Sequence, residues 1–376
     1  GQPLDAARYY VIMPDNLGHG ASSRPSDGLR AAFPEYGYTE MVEAQRRLLV
    51  DGLGVDRLRL ILGTSMGCMH IFVWAETHPD FAEALMPTVR DRPVLLERYP
   101  NGVREKSFFQ KRIPDSAPDW LETTTVETIN GTPSRALVIA DLAHVLWAVN
   151  MGVLGVHVWP FRASTPEDHD EMRIDLDPSP GVTFDMVRES AGHVRDLLAE
   201  FGMIGFPKTT GSKGIHVYVR VEPGWDSFAV RGAVVALGRE LARRHPNLIT
   251  DKWWKEERGT RVFVDYNQNA PHKNMFGAWG ARPRVGAQVS TPFGWNELDT
   301  IDPEAMTIDT VPSRLAESGD PWELMDDTAV SITPLVERFA ADLADGIPDA
   351  PWPPVYPKMP NEAPRVQPSR ARQVPD

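Results

Sequence analysis

At 376 residues the chain is long enough for two domains, and its 42% hydrophobic and 24% charged residues are the balance of a globular protein. No long apolar run predicts a membrane span, and the opening GQPLDAARYY lacks the basic-then-apolar layout of a signal peptide. Cys68 is the single cysteine, which excludes a disulfide framework and a cysteine-rich metal centre and makes a reducing, cytoplasmic setting the expectation. The net charge of −13 weighs mildly against nucleic acid, whose phosphates need local positive charge, but an acidic total does not exclude a basic groove.

Residues 8–87 read as an alternating α/β stretch. Tyr9 to Met13 has the look of a buried strand, and Tyr38 to Leu53 has helical apolar spacing. Leu58 to Leu62 reads as a second strand, followed by a glycine-rich turn and a helix from about Met66 to Thr77. After Pro87 the character changes. Residues 94–113 suggest strands around a turn at Pro100-Asn101-Gly102, and Ala136 to Val149 suggests a helix. Strand-like runs follow at Val153–Val158, Met172–Leu176, Gly214–Val221 and Arg261–Asp265, with amphipathic helices at Phe184–Phe201 and Ser227–Arg244. Nine of the 34 prolines fall in the last 29 residues, so the tail is expected to be an extended arm. The domains expected are 1–87, 88–345 and a proline-rich tail, 346–376.

The strongest chemical signal is Arg173-Ile174-Asp175-Leu176-Asp177-Pro178. On a strand, residues two apart share a face, so Asp175 and Asp177 project together while Ile174 and Leu176 pack inward. Like charges side by side repel, and a cation is a reason to hold them there; oxygen ligands without thiolates favour Mg²⁺ or Mn²⁺. Two solvent-facing acids on an edge strand are the bland alternative. Asp265 closes a third β-forming run, where an acid also serves as a turn starter; three convergent acids could hold two such ions. Lys208-Thr209-Thr210-Gly211-Ser212-Lys213-Gly214-Ile215-His216 is a small-residue turn that leaves N–H groups for phosphate oxygens, with Lys213 as a point charge. A strand follows it, not a helix, so it is no Walker A loop. An ordinary hairpin with a surface lysine would read the same. Arg258 and Arg282 flank Asp265 and could clamp phosphate charge, although either alone suits a solvated surface. His157 sits on an apolar strand that could equally bury it as core.

In this order and spacing the segments resemble the archaeo-eukaryotic primase superfamily, and more closely the polymerase (primase-polymerase) domain of bacterial DNA ligase D. The carriers are RPVLLERYPNG from Arg92, KSFFQKR from Lys106, GVHVW from Gly155, DLDP from Asp175, GSKGIH from Gly211, VDYNQN from Val264, VSTP from Val289 and WNEL from Trp295. They cover about residues 89–330. The resemblance implies a mixed-sheet α/β catalytic core in which Asp175, Asp177 and Asp265 bind two Mn²⁺ or Mg²⁺ ions. It also implies that Thr210, Lys213, His216, Arg258, Arg282 and His157 serve the nucleotide, and that Phe108 and Phe109 stack on template bases. Adjacent phenylalanines are otherwise commonly core. Thr210 stands where the family usually has serine, and Trp279-Gly280 replaces a more usual Tyr-Ser. The implied activity is a nucleotidyltransferase extending DNA ends from NTP or dNTP during non-homologous end joining, often with ribonucleotides and manganese. DNA ends, a Ku-like end-binding protein and a DNA ligase are the implied partners, in the cytoplasm at the nucleoid.

Residues 1–87 resemble a different family, the α/β-hydrolases of the homoserine O-acetyltransferase type. Pro14-Asp15-Asn16-Leu17-Gly18-His19-Gly20, Phe33-Pro34-Glu35-Tyr36-Gly37-Tyr38 and Gly63-Thr64-Ser65-Met66-Gly67 carry the likeness. The last is a nucleophile elbow. Ser65 needs a later acid and histidine and an earlier oxyanion loop, and the likeness stops near Pro87, so an inactive, truncated fragment is expected. The junction also replaces the segment that usually precedes the Arg-Pro-Val motif and grips a 5′-phosphate. Two other readings stay open: an acyltransferase or esterase using Ser65, and a DNA-end-binding module without catalysis.

Overall fold

The computed structural model describes residues 10–17, 20–56, 58, 89–128 and 131–353. The chain divides into two compact units, Gly1–Leu85 with Asp141–Asn150, and Met86–Ala140 with Met151–Asp376. In the first unit the helix Tyr38–Arg47 runs on into a π-helical turn, Leu48–Gly52, and buries Met41, Val42 and Leu49. The strand expected at Tyr9 to Met13 is not formed by its described residues, and Tyr10 and Met13 are exposed. A strand needs a neighbour to take its N–H and C=O groups, and no described segment supplies one. The Ser65 elbow and the flanking strand and helix expected from Leu58 to Thr77 lie outside the described residues, apart from Leu58.

The second unit holds two sheets. One comprises β1 (Pro93–Arg98), β2 (Phe108–Gln110), β3 (Thr123–Glu127), β4 (Pro133–Val138), β5 (Val153–Val158) and β11 (Met275–Phe276), in the order β11-β5-β1-β4-β3 with β2 paired to β1. The helix expected from Ala136 is therefore strand up to Val138, and the helix is Leu142–Asn150. Ala136, Leu137 and Val138 are captured by β1 and β3 on either side, so pairing overrides a locally ambiguous apolar run. The other sheet has β6 (Glu171–Pro178), β7 (Phe206–Thr209), β8 (Ile215–Arg220), β9 (Ile249–Thr250) and β10 (Val262–Asp265), in the order β7-β8-β6-β10-β9. All its pairings are antiparallel except β10 with β9.

Alternation along this second sheet sorts chemistry by face. Ile174, Leu176, Ile215, Val217, Val219, Val262 and Val264 are buried in the main core with the helices Phe184–Glu200 and Ser227–Arg244. Each such side chain contributes roughly 1.5–3 kcal/mol on leaving water. Both helices start on a side-chain cap: Thr183 accepts from the Met186 N–H and Asp226 from the Ala229 N–H. The interleaved residues Arg173, Asp175, Asp177, His216 and Asp265 take the opposite face.

Buried guanidinium groups join the two sheets. Arg173, 1% exposed, donates to the carbonyls of Val158 (2.9 Å) and Trp159 (3.0 Å) and pairs with Glu171 at 2.8 Å. Arg92 pairs with Asp170 at 2.6 Å and Glu171 at 2.9 Å.

A latch closes over the helix Ser227–Arg244. Arg231 donates to Asp349 (3.0 Å) and to the Ala350 carbonyl (2.7 Å), and its guanidinium lies 3.7 Å from the centre of the Trp352 ring. Trp352 is itself buried. Trp352→Ala is expected to lower stability by about 2–4 kcal/mol, read as a drop in Tm, because the guanidinium loses its cover and a large ring leaves a void.

Candidate active site

Register alone assembles the acidic centre. Asp265 on β10 lies opposite Asp175 on β6, Asp175 lies opposite His216 on β8, and His216 lies opposite Lys208 on β7. These four side chains form one row across the sheet, and Asp177 stands two residues along β6 on the same face. The three aspartates predicted from sequence are thus brought to one face of adjacent strands. Lys208, named in the sequence only as the first residue of the turn, was given no role of its own, because its place in the row depends on the pairing of β7 with β8.

Each acid has its own restraint. Asp265 accepts from the Asn267 N–H at 3.0 Å and from Gln268 Nε2 at 2.8 Å. Asp175 Oδ1 is 3.4 Å from His216 Nε2, and Asp177 Oδ2 accepts from Arg258 Nη1 at 3.5 Å. Among the described residues no three His, Cys, Asp or Glu side chains close into a ready-made metal cage. The donor chemistry nonetheless fits a hard divalent cation: three carboxylates share one face of adjacent strands and no thiolate is among them. Burial pushes all three up to about 6; for Asp177 the charges of Asp175 and Asp265 add to burial, and for Asp265 that of Asp175 does. Lys208 and Arg282 oppose the rise at Asp175. Burial, aided by Lys208, Arg282 and Arg173, drives His216 well below its usual value, so it is neutral and touches Asp175 without an ion pair. Its Nδ1 is buried without a hydrogen-bond partner.

The turn after β7 departs from expectation in one respect. Thr210 Oγ1 accepts from the N–H groups of Ser212 (3.1 Å) and Gly214 (3.2 Å), so those two donors are spent on shaping the turn. Gly211 holds φ 65°, and a Cβ on Gly214 would fall 2.7 Å from the Leu176 carbonyl oxygen, so both glycines are required. Lys213 is exposed, and Arg282 Nε donates to the Thr210 carbonyl at 2.9 Å. Arg284, unnoticed in the sequence, also braces the turn through the Gly211 carbonyl and through Ser212 Oγ, the latter at 3.1 Å.

The first sheet supplies another wall. His157 on β5 contacts the rings of Phe109 and Phe276 edge-on, each with centroids 5.3 Å apart, and its Nε2 is 3.6 Å from Glu97 Oε2. Burial lowers the His157 pKa and Glu97 opposes that shift. Glu97 also accepts from Tyr99 Oη (2.7 Å) and Ser107 Oγ (3.2 Å). Its place on the His157 face of β1 was readable only from register. Arg282 lies over Phe276, its guanidinium carbon 3.7 Å from the ring centre. Phe108 and Phe109 are 45% and 55% exposed on β2, which is not the packing of a core pair.

With this geometry in view, residues 78–322 match the family model described as the LigD primase-polymerase domain, well over half of the chain. The chain belongs to the LigD primase-polymerase family. A LigD described as a multifunctional non-homologous end joining DNA repair protein, from Mycobacterium tuberculosis, is 35% identical over 270 residues, which are 69% of this chain and 34% of that protein. The chain therefore spans about a third of the length of the curated LigD relatives it matches. The structure resembles the polymerase domain from Mycobacterium tuberculosis ligase D in complex with DNA, with a TM-score of 0.61 at 30% identity, covering 73% of this chain and 99% of that one. Residues 1–87 match the α/β hydrolase fold family. A homoserine O-acetyltransferase from Rhodopseudomonas palustris is 31% identical over 153 residues, 38% of this chain and 36% of that protein.

Proposed function

We propose that the LigD-like unit is a nucleotidyltransferase that adds nucleotides to DNA ends, with Asp175, Asp177 and Asp265 as the acidic centre. The observation that carries this reading is the cross-strand row Lys208–His216–Asp175–Asp265 beside the turn 210–214. A pair of bound divalent ions, Mg²⁺ or Mn²⁺, would supply Lewis-acid stabilisation of the attacking 3′-hydroxyl and of the leaving group. The chain's own residues do the rest. Lys213 and Arg282 offer positive charge and N–H donors to the triphosphate, and neutral His216 offers a ring N–H without adding charge. Arg258 fixes Asp177, and Gln268 with the Asn267 N–H fixes Asp265, so these two carboxylates meet the substrate already oriented. Phe108 and Phe109, exposed on β2, offer π faces to unpaired template bases. A broken DNA end, NTP or dNTP, a Ku-like protein and a ligase are the proposed partners.

Primer extension on a recessed DNA duplex with labelled nucleotides and Mn²⁺ tests the reading. Incorporation that depends on the three aspartates supports it. Salt-sensitive DNA binding with no incorporation would leave a binding module instead.

The turn makes a separate prediction. Thr210→Val removes the acceptor for two backbone N–H groups and is expected to raise the KM for nucleotide about tenfold, whereas Thr210→Ser retains it. Steady-state extension over a nucleotide titration measures both.

A further inference from the structure

Lys208 is fully buried, 0% exposed, at the end of the acidic row, and burial draws its pKa well below the usual lysine value. A buried amine is unfavourable unless its N–H groups are satisfied. Its Nζ donates to Ser290 Oγ at 2.6 Å and to the Phe276 carbonyl at 3.2 Å. Ser290 Oγ in turn donates to the Thr209 carbonyl at 2.9 Å. Around this point the chain folds back on itself as a ribbon: Trp279 N–H donates to the Ser290 carbonyl (2.7 Å), Ser290 N–H to Gly280 (2.8 Å) and Arg282 N–H to Gln288 (2.8 Å). Arg282 is carried on that ribbon, and its root is where Lys208 binds. Phe276, whose carbonyl Lys208 holds, is also the ring under Arg282 and beside His157. Gly280 makes room for it, since a Cβ there would lie 2.8 Å from the ring.

We infer that Lys208 is a positioning residue: it ties β7 to β11 and the 277–291 ribbon, and so fixes Arg282 and His157 about Phe276. That the fixed groups receive a nucleoside triphosphate rests on the proposed function; the tie itself does not. An isolated strap would only stabilise the fold, whereas this one joins the edge of the sheet bearing the acids to the ribbon bearing Arg282. Its loss should therefore reach nucleotide binding specifically.

The test uses the full chain with Lys208→Met, and Lys208→Gln as a milder variant should the first fail to fold. Amide hydrogen exchange over 276–291 is expected to quicken about tenfold or more, while exchange in the helices Phe184–Glu200 and Ser227–Arg244 stays unchanged. The KM for nucleotide is expected to rise about tenfold, and the rise should vanish in an Arg282→Ala background. Unchanged exchange over 276–291, a uniform rise across the unit, or a KM effect fully additive with Arg282→Ala would each overturn the inference. If the wild-type protein neither binds ATP with Mg²⁺ nor extends primers, the proposed function fails, and the exchange comparison alone decides the role of Lys208.

Discussion

Replacing Asp175 and Asp177 together by asparagine is expected to slow nucleotide addition at a DNA end by about a thousandfold or more while the fold persists. Asparagine keeps the shape and removes the charge. The two side chains share a face of β6 opposite Asp265, so the double change removes two of three negative charges from the centre. Single-turnover extension measures the loss, and circular dichroism checks the fold. Extension within about tenfold of wild type would remove these acids from the chemistry.

The same acids predict opposite pH signs for activity and stability. Burial lifts each to about 6 from a usual 3.8, so the folded protein holds their protons more tightly than the unfolded chain does. Their contribution to stability is therefore present below about pH 4 and is lost as the pH rises through about 6. Activity needs the charged forms and should climb over that same rise. Asp175→Asn should thus raise Tm by about 2–4 °C near pH 8, leave it nearly unchanged near pH 4, and abolish extension near pH 8. A fall in Tm near pH 8 would mean that Lys208 and Arg282 stabilise the carboxylate more than burial penalises it.

Arg173→Met is expected to destabilise the LigD-like unit by about 3–5 kcal/mol, the largest stability effect anticipated for a single side chain here. The methionine fills much of the volume but leaves the Val158 and Trp159 carbonyls without this donor and Glu171 short of a counter-charge, all in the buried seam between the sheets. Chemical denaturation would show a lower midpoint with an unchanged m-value. Because Arg173 is two residues from Asp175 on β6, extension should also weaken below the denaturation midpoint. A midpoint within about 1 kcal/mol of wild type would show that Arg92 and Arg220 take over its partners.

Much of the second sheet was legible in the letters. RIDLDP and GIHVYVR alternate so strictly that strand, buried face and polar face follow from a period of two, while RVFVD reads as strand from its β-forming residues. The helices from Phe184 and Ser227 announced themselves by their apolar spacing, whereas their caps, Thr183 and Asp226, came from the structure. The span from Ala136 was less legible, since its apolar run suits either a strand or a helix until β1 and β3 claim it. Thr210 was seen as a group for phosphate, while the donors it already satisfies became visible only once the turn had a shape.

By itself, the sequence determined which residue types are present and which of them share a face: acids at 175 and 177, a third at 265, a small-residue turn before His216. That information is local, because strand geometry repeats every second residue whatever surrounds it. Only the tertiary structure decided that the strands order as β7-β8-β6-β10, which lines up Lys208, His216, Asp175 and Asp265 from segments far apart in the chain. It also decided that Glu97, Phe276 and Arg284 border the same place. Their roles depend on distance across sheets, and pairing register is set by the burial of both faces together and not by any one strand.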